Sequence, residues 1–304
     1  MKILRNNLFY ILAMMLCLSG CSRNQGEKIR IAYLPLTHAV VLQELANSGE
    51  LEIELIKYGS WPELLDALNT GRVDAASVLI EPAMKAHEQG IGLTALALGH
   101  RDGNVVIVAN EVNTAGDLRG KTFAIPHRAS SHFILLSELL KREGIEESEI
   151  KVIELPPPEM PSALAACRIA GYCVAEPFGA IAVHGGYGKV LIRSEELWPD
   201  SICCALVAND RFLTQRPEAA KQLLSAYLAA GQCLGDKDIA CQHAKTLLQQ
   251  PEEVLEISMK WISYSDLQLT PESYESLRNK VIDCKISSQP PTYENFVIQN
   301  IIVP

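Results

Sequence analysis

The protein has 304 residues, 48% of them hydrophobic, and carries 27 basic against 36 acidic side chains for a formal net charge of −9. This acidic balance gives no electrostatic footprint for nucleic acid or for an anionic membrane surface. The apolar fraction excludes a disordered chain, and the length suffices for one large or two medium-sized domains with real cores.

The first twenty residues have the features of an export signal. Lys2 and Arg5 precede an apolar stretch of eleven residues, Leu8 to Leu18, and small residues follow. As a helix this stretch would extend about 16 Å, well short of the ~30 Å hydrocarbon core of a bilayer. We therefore predict a cleaved signal peptide over residues 1–20, with an uncleaved membrane anchor as the alternative.

The residues Leu18-Ser19-Gly20-Cys21 resemble the lipobox of bacterial lipoproteins, in which the cysteine is acylated and becomes the new N-terminus. The resemblance implies that Cys21 carries lipid, palmitate included, and holds the protein on the outer face of the cell membrane. Loss of Lys2 and Arg5 would leave 25 basic against 36 acidic residues, a net charge of −11. Residues 21–27 are polar and predict a tether.

The mature chain would keep seven further cysteines, an odd number for an exported protein. They are Cys167, Cys173, Cys203, Cys204, Cys233, Cys241 and Cys284. Their spacing shows neither Cys-x-x-Cys nor a zinc-type Cys/His pattern, so we predict no metal site. Buried cysteines usually act as small apolar residues, and a redox or soft-metal role for those near the hinge is the alternative.

Apolar runs and helical patterns alternate from residue 29 onward, which predicts an α/β protein with mostly parallel sheets. Predicted strands cover 29–34, 51–58, 73–80, 122–125, 151–155 and 171–175, and predicted helices cover 60–71, 130–143 and 161–166. Ser60 and Glu63 have the spacing of a capping box at the first of these helices. Four further helical patterns, at 217–233, 238–248, 251–257 and 271–281, predict a helical tail that packs on the first lobe.

Two near-identical segments, Val106-Ile107-Val108-Ala109-Asn110 and Ala205-Leu206-Val207-Ala208-Asn209, flank the second group of elements. We interpret them as counterpart crossover strands that form a hinge. Lobe 1 is then predicted to comprise residues 28–106 and 208–304, and lobe 2 residues 107–207, with a ligand between them.

Several segments resemble the solute-binding proteins of ABC importers for nitrate, bicarbonate, sulfonates and taurine. They are Ile31-Ala32-Tyr33-Leu34-Pro35-Leu36-Thr37, Asn69-Thr70-Gly71-Arg72-Val73-Asp74-Ala75, Asp117-Leu118-Arg119-Gly120-Lys121-Thr122, Leu155-Pro156-Pro157-Pro158-Glu159-Met160, and Gly171-Tyr172-Cys173-Val174-Ala175-Glu176-Pro177-Phe178. The resemblance implies the two-lobed periplasmic-binding-protein type II fold. It also implies a permease and an ATPase as partners. Ala170, Phe178 and the loop from His127 to His132 depart from the usual pattern, so ligand identity does not carry over.

The matching loops supply nine candidate ligand-binding residues. They are Thr37, His38, Ser60, Trp61, Glu81, Ser130, Ser131, His132 and Glu176. Ser130 and Ser131 open a helix, where hydroxyls and free N–H groups suit an anion, unless Ser130 only caps the helix. Trp61 is either a pocket wall or part of the helix start. Glu81 and Glu176 would accept from the amine of a zwitterion, or they bind backbone donors at a turn.

These features predict a monomeric, lipid-anchored periplasmic or extracellular receptor that delivers a small anion or zwitterion to an ABC permease. We predict no catalytic residues and no cofactor, because no nucleophile or phosphate-loop motif is present. The alternatives are a relative that binds or synthesises a pyrimidine thiamine precursor, and a ligand-sensing partner of a membrane receptor.

Overall fold

The computed structural model describes residues 28–299, and within them the chain builds two five-stranded sheets. The predicted signal peptide, the lipidation site Cys21 and the tether up to residue 27 lie outside the described residues. Within 28–299, no helix combines the length and the apolar character that crossing a bilayer requires.

The first sheet has the order β2-β1-β3-β11-β4 and the second the order β10-β6-β9-β7-β8. Their strands are β1 (Ile29–Tyr33), β2 (Ile53–Lys57), β3 (Ala75–Leu79), β4 (Leu93–Leu98), β6 (Asn104–Ala109), β7 (Thr122–Ile125), β8 (Lys151–Glu154), β9 (Gly171–Ala175), β10 (Gly188–Arg193) and β11 (Cys204–Asn209). The two-residue strands β5 (Arg101–Asp102) and β12 (Ile262–Ser263) pair with each other. In each sheet one strand, β11 or β6, runs antiparallel to both of its neighbours. The predicted mostly parallel sheets are therefore confirmed.

Helices cover the faces of both sheets. They are α1 (Val40–Asn47), α2 (Trp61–Asn69), α3 (Ile80–Glu88), α4 (Ser131–Arg142), α5 (Met160–Ala165), α6 (Phe178–His184), α7 (Ser194–Leu197), α8 (Asp210–Gln215), α9 (Pro217–Cys233), α10 (Lys237–Leu248), α11 (Glu252–Ser258), α12 (Pro271–Asp283) and α13 (Tyr293–Phe296). Proline stands in the first turn of α9 and α12, where no backbone N–H is needed. With helices on both sides, the central strands β3, β6, β9 and β11 are buried along their whole length.

The lobe boundaries differ from the predicted ones by a few residues. Strand β6 lies wholly in the second sheet, so the chain leaves lobe 1 between Leu98 and Asn104. Strand β11 lies wholly in the first sheet, so the chain returns between Arg193 and Cys204. Each crossover segment is thus followed directly by the antiparallel strand of the sheet that the chain enters, β6 in lobe 2 and β11 in lobe 1. Because both strands are buried at every residue, the sequence pattern gave no sign of where each crossover lies.

The C-terminal helices pack mainly on lobe 1 but also reach lobe 2. Helices α9 and α10 pack against α1, and Ile298 donates its N–H to Ala95 of β4 at 3.0 Å. Helix α11 instead packs against α6 of lobe 2, and Lys280 of α12 pairs with Glu138 of α4 at 3.0 Å. The tail therefore contacts both lobes, where the sequence predicted contact with lobe 1 alone.

The predicted capping box at Ser60 and Glu63 does not form. Helix α2 begins as expected after Ser60, but the Ser60 side chain makes no capping hydrogen bond. Trp61 is buried at the first position of the helix and Pro62 follows it. Proline in the first turn and burial of the tryptophan are enough to start the helix here.

Candidate functional site

Most of the predicted site residues come together between the two lobes. Thr37, His38, Glu81, Ser130, Ser131, His132 and Glu176 are all almost completely buried. Residues 37 and 38 follow β1 and residue 81 follows β3, whereas residues 130–132 follow β7 and residue 176 follows β9. The carboxyl ends of parallel strands from both sheets thus face one another, the usual position of a ligand cleft in α/β proteins. Ser60 is half-buried, and Trp61 is buried with no hydrogen-bond partner for its Nε1.

The two lobes are joined by hydrogen bonds at Thr37. Its backbone N–H and its hydroxyl both donate to the carbonyl oxygen of Glu176, at 2.9 and 3.1 Å. The carbonyl of Thr37 in turn accepts from the hydroxyl of Tyr264 at 2.8 Å. Thr37 therefore binds the partner lobe and the C-terminal segment, and it helps to hold the cleft closed.

The carboxylate of Glu176 has a structural role. Its Oε2 accepts from the N–H of Ala180 at 2.9 Å and from the hydroxyl of Ser258 at 3.0 Å. Its Oε1 has no hydrogen-bond partner among the described residues. Burial raises the pKa of Glu176 to about 8, although both donors lower it. The alternative that this carboxylate binds neighbouring donors at a turn is thus the one observed.

The two serines at the start of α4 differ in role. The Ser130 hydroxyl accepts from the N–H of Phe133 at 3.3 Å and so caps the helix. The Ser131 hydroxyl is buried beside Glu81 and makes no contact of hydrogen-bond geometry among the described residues. Since an unpaired buried hydroxyl is costly, Ser131 is better placed than Ser130 to contact a ligand.

Glu81 and His132 approach the cleft from opposite lobes. Both carboxylate oxygens of Glu81 and both ring nitrogens of His132 are buried, and none makes a contact with hydrogen-bond geometry among the described residues. Burial raises the pKa of Glu81 well above its usual value, although the nearby Ser131 lowers it in part. Burial lowers the pKa of His132. Burial therefore favours a protonated Glu81 and a neutral His132.

His38 stacks on a histidine that the sequence analysis did not place in the site. The rings of His38 and His100 lie 3.4 Å apart at an angle of 20°. His38 Nε2 faces the carbonyl of Gly103 at 3.3 Å, and His100 Nδ1 faces the carbonyl of Asp102 at 2.6 Å. A carbonyl can only accept, so these nitrogens carry the protons and leave His38 Nδ1 and His100 Nε2 as acceptors. Burial and the neighbouring His100 lower the pKa of His38 to about 4.

Two adjacent thiols complete this group at the start of β11. His38 Nδ1 lies 3.4 Å from Cys204 Sγ and 3.8 Å from Cys203 Sγ, and the two sulfurs are 3.9 Å apart. Burial by itself raises the pKa of Cys203, but a hydrogen bond with Cys204 and the imidazoles of His132 and His38 outweigh it. The pKa of Cys203 is therefore held well below its ordinary value. Burial raises that of Cys204.

One potential ligand atom from each of four residues thus lies in a single cluster. His38, His100, Cys203 and Cys204 are all buried, and these atoms all lie within 4.8 Å of one another. We call these four residues the His/Cys cluster. The sequence predicts no metal site, with a soft-metal role for the cysteines near the hinge as the alternative, because His38, His100 and the cysteine pair are too far apart along the chain to show a ligand spacing. The adjacent cysteines at the edge of a crossover strand and a histidine after each of β1 and β4 were the available signals.

The charge of this region differs from that expected for an anion site. The buried polar side chains of the described residues include carboxylates, histidines, serines and asparagines, but neither lysine nor arginine. Arg101, which follows His100, and Arg128, two residues before Ser130, pair with Asp266 and Glu147 respectively. A surface cavity of about 650 Å³ is lined by Arg101, Asp200 and Asp266, among others, and none of the predicted site residues lines it.

Comparison with known proteins identifies the family of this chain. The model of the NMT1-like family matches residues 23–248. The chain belongs to the NMT1-like family. The fold class and the resemblance to importer solute-binding proteins are thereby confirmed for this NMT1-like protein.

Three relatives show the range of the similarity. The ligand-binding component of an ABC-type import system from Staphylococcus aureus, solved with zinc bound, is 37% identical with a TM-score of 0.86, covering 91% of this chain and 98% of that one. The nitrate/nitrite binding protein NrtA of a Nostoc species is 26% identical over 68% of this chain and 54% of that protein. The taurine-binding periplasmic protein of Escherichia coli is 24% identical over 77% and 73%. The chain spans only about half of NrtA and 36% of the nitrate import ATP-binding protein NrtC of a Synechocystis species.

Proposed function

We propose that this NMT1-like protein is the extracytoplasmic solute-binding component of an ABC importer. It captures a small solute between its lobes and presents the closed form to a permease driven by an ATPase. The observation that carries the proposal is the sealed cleft, in which Thr37 of lobe 1 binds Glu176 of lobe 2 and unpartnered polar groups lie buried beside them. A cleft built this way encloses a solute completely when the lobes close.

The relatives support this role. They are binding proteins for nitrate and nitrite or for taurine, and a component of an ABC-type import system. Binding proteins of transport systems match, so the alternative of a pyrimidine-synthesising enzyme is not favoured. The role of a sensor partner would use the same cleft.

The class of solute has two candidates. A small anion or zwitterion, as the sequence analysis predicts, is supported by the start of α4 with Ser131 and by relatives named for nitrate and taurine. A metal ion is supported by the His/Cys cluster and by the zinc in the S. aureus structure.

The partner proposal is tested by ligand-dependent capture from membranes. The mature chain with Cys21→Ser is immobilised and incubated with detergent-solubilised membranes of the source cell, with and without the solute candidates. Recovery of an ABC permease and its ATPase that increases with solute is the expected result. Recovery of a membrane receptor without any transporter subunit would contradict the importer proposal in favour of the sensor alternative.

We also propose that Cys21 carries the lipid anchor and that the mature protein is a monomer. The lipobox-like residues before Cys21 support the anchor. Cells fed radiolabelled palmitate should label the wild-type chain and not the Cys21→Ser variant, and label on both would contradict the assignment. Light scattering of the mature Cys21→Ser chain should give the mass of one chain.

A further inference from the structure

We propose that the His/Cys cluster is a four-coordinate site for a thiophilic transition-metal ion of the zinc type, and that this ion is the solute of the cleft. The coordination follows from the cluster alone, whereas the role as transported solute rests on the proposed importer function. His38, His100, Cys203 and Cys204 would each supply one ligand atom.

The spacing of the ligand atoms fits a tetrahedral ion. With Zn–S of about 2.3 Å and Zn–N of about 2.0–2.1 Å, a tetrahedron places two sulfurs about 3.8 Å apart and sulfur about 3.6 Å from nitrogen. The two sulfurs are 3.9 Å apart, and His38 Nδ1 is 3.8 and 3.4 Å from Cys203 Sγ and Cys204 Sγ. For these three ligands an ion at the centre therefore requires only small movements. The fourth, His100, is stacked on His38 with its ligand atom within 4.8 Å of the others, and its ring would turn toward the ion.

The surroundings of the two imidazoles are those of metal ligands. A ligating histidine usually donates its second N–H to a carbonyl or carboxylate, which fixes the ring and its tautomer. His38 Nε2 faces the carbonyl of Gly103 in this way, and His100 Nδ1 faces that of Asp102. Both carbonyls lie in the first crossover between the lobes. His100 Nε2 faces the N–H of Cys204 at 3.4 Å, a long contact that an ion would replace.

The charge and chemistry of the cluster select a soft cation over an anion. Two thiolates and two neutral imidazoles would neutralise a divalent ion, and thiolate ligands select zinc or similar metals over magnesium and calcium. No lysine or arginine is among the buried residues described, so an anion at the same place would have no permanent positive charge to bind. Four protein ligands form a closed site with no position for catalysis, which fits binding rather than Lewis-acid chemistry.

The position of the cluster links metal binding to closure. The four ligands come from lobe 1 and the crossovers, namely the loop after β1, the segment after β4 and the start of β11. From lobe 2, His132 brings close to Cys203 a buried imidazole that has no hydrogen-bond partner among the described residues, and Glu81 of lobe 1 also lies close to Cys203. Metal bound on lobe 1 would thus order the surface against which His132 of lobe 2 packs when the lobes close.

Zinc itself is the probe in the direct test. The metal-free mature chain with Cys21→Ser is titrated with Zn²⁺ in competition with a chromophoric chelator, and bound zinc is examined by X-ray absorption. We expect one ion per chain, with two sulfur and two nitrogen neighbours. Absorption that shows only nitrogen and oxygen neighbours would overturn the site without relying on any variant.

Matched variants locate the ion. Cys203→Ser, Cys204→Ser and His100→Ala should each weaken zinc binding at least ~100-fold, while the controls Cys233→Ser and His87→Ala, which lie outside the cluster, should leave it unchanged. Far-ultraviolet circular dichroism checks that each variant is folded. Unchanged zinc affinity in a folded Cys203→Ser/Cys204→Ser double variant would overturn the assignment.

The outcomes separate this proposal from the proposed function. Tight zinc binding at the cluster without zinc-dependent recovery of an ABC permease would leave the coordination standing and remove the importer role. Solute-dependent recovery of the permease with nitrate or taurine, in a protein that binds no zinc, would remove the metal proposal and leave the importer role intact.

Discussion

At the residue scale, the buried carboxyl of Glu176 predicts a pH dependence of stability. Its folded pKa is about 8, above the usual value of 4.5, so between these limits the unfolded chain loses a proton that the folded chain keeps. The free energy of unfolding of the metal-free protein should therefore fall as pH rises from about 4.5 to 8, by on the order of 4 kcal/mol from this group. Denaturant unfolding at several pH values, with chelator present, measures this change in the free energy of unfolding.

Glu176→Gln should flatten this dependence, because glutamine keeps an acceptor for Ala180 and Ser258 without a titrating group. Glu81, whose pKa is also raised by burial, should leave a residual slope of the same sign. The exposed Glu52→Gln serves as the control. An identical pH dependence in wild type and Glu176→Gln would contradict the assigned protonation.

At the scale of single elements, the two serines of α4 predict opposite phenotypes. Ser130→Ala removes the cap and should lower the free energy of unfolding by about 1 kcal/mol, with little effect on ligand affinity. Ser131→Ala removes a hydroxyl that makes no contact of hydrogen-bond geometry among the described residues and lies beside Glu81, so the free energy of unfolding should change little while ligand affinity falls. Denaturant unfolding gives the free energy of unfolding of both variants, and calorimetric titration gives their ligand affinity. Loss of stability in Ser131→Ala alone would contradict the roles assigned to the two serines.

The start of α6 predicts a second effect at this scale. A Cβ at Gly179 would collide with the Glu176 carboxylate and with Val105, so this helix can approach β6 closely only with glycine there. Gly179→Ala should cost about 1–3 kcal/mol in the free energy of unfolding, the usual range for overpacking. Gly90→Ala is not a suitable comparison because Gly90 has a φ of +87°, a backbone conformation that alanine rarely adopts. A thermal unfolding curve for Gly179→Ala equal to that of wild type would contradict this packing.

Sequence patterns located most elements but not all of the site. Strands 122–125 and 171–175 and helix 217–233 are found at the predicted residues, because an apolar run or a helical period marks each one locally. Helix α3 was missed because Glu81-Pro82 suggested a turn after a strand. His100 and the two cysteines were missed as a group, since their contact depends on two crossovers that bring distant segments together. Tertiary folding, not local pattern, makes this cluster.

At the scale of the whole molecule, Thr37 predicts how closure and affinity are coupled. Thr37→Val removes the hydroxyl that donates to Glu176 across the lobes and should cost the closed form about 1 kcal/mol. Because only the closed form encloses the ligand, solute affinity should fall about fivefold by calorimetric titration. Thr37→Ser keeps the hydroxyl and should retain wild-type affinity. Equal affinity for the valine and wild-type proteins would show that this hydrogen bond does not contribute to closure.

The central claim is that two lobes close over a metal ion held by the His/Cys cluster. Small-angle X-ray scattering of the mature Cys21→Ser chain, with zinc and with chelator, tests it most directly. We predict a smaller radius of gyration with zinc than with chelator, and no such difference in the folded Cys203→Ser/Cys204→Ser variant. The same radius of gyration in the wild-type chain with and without bound zinc would contradict the account.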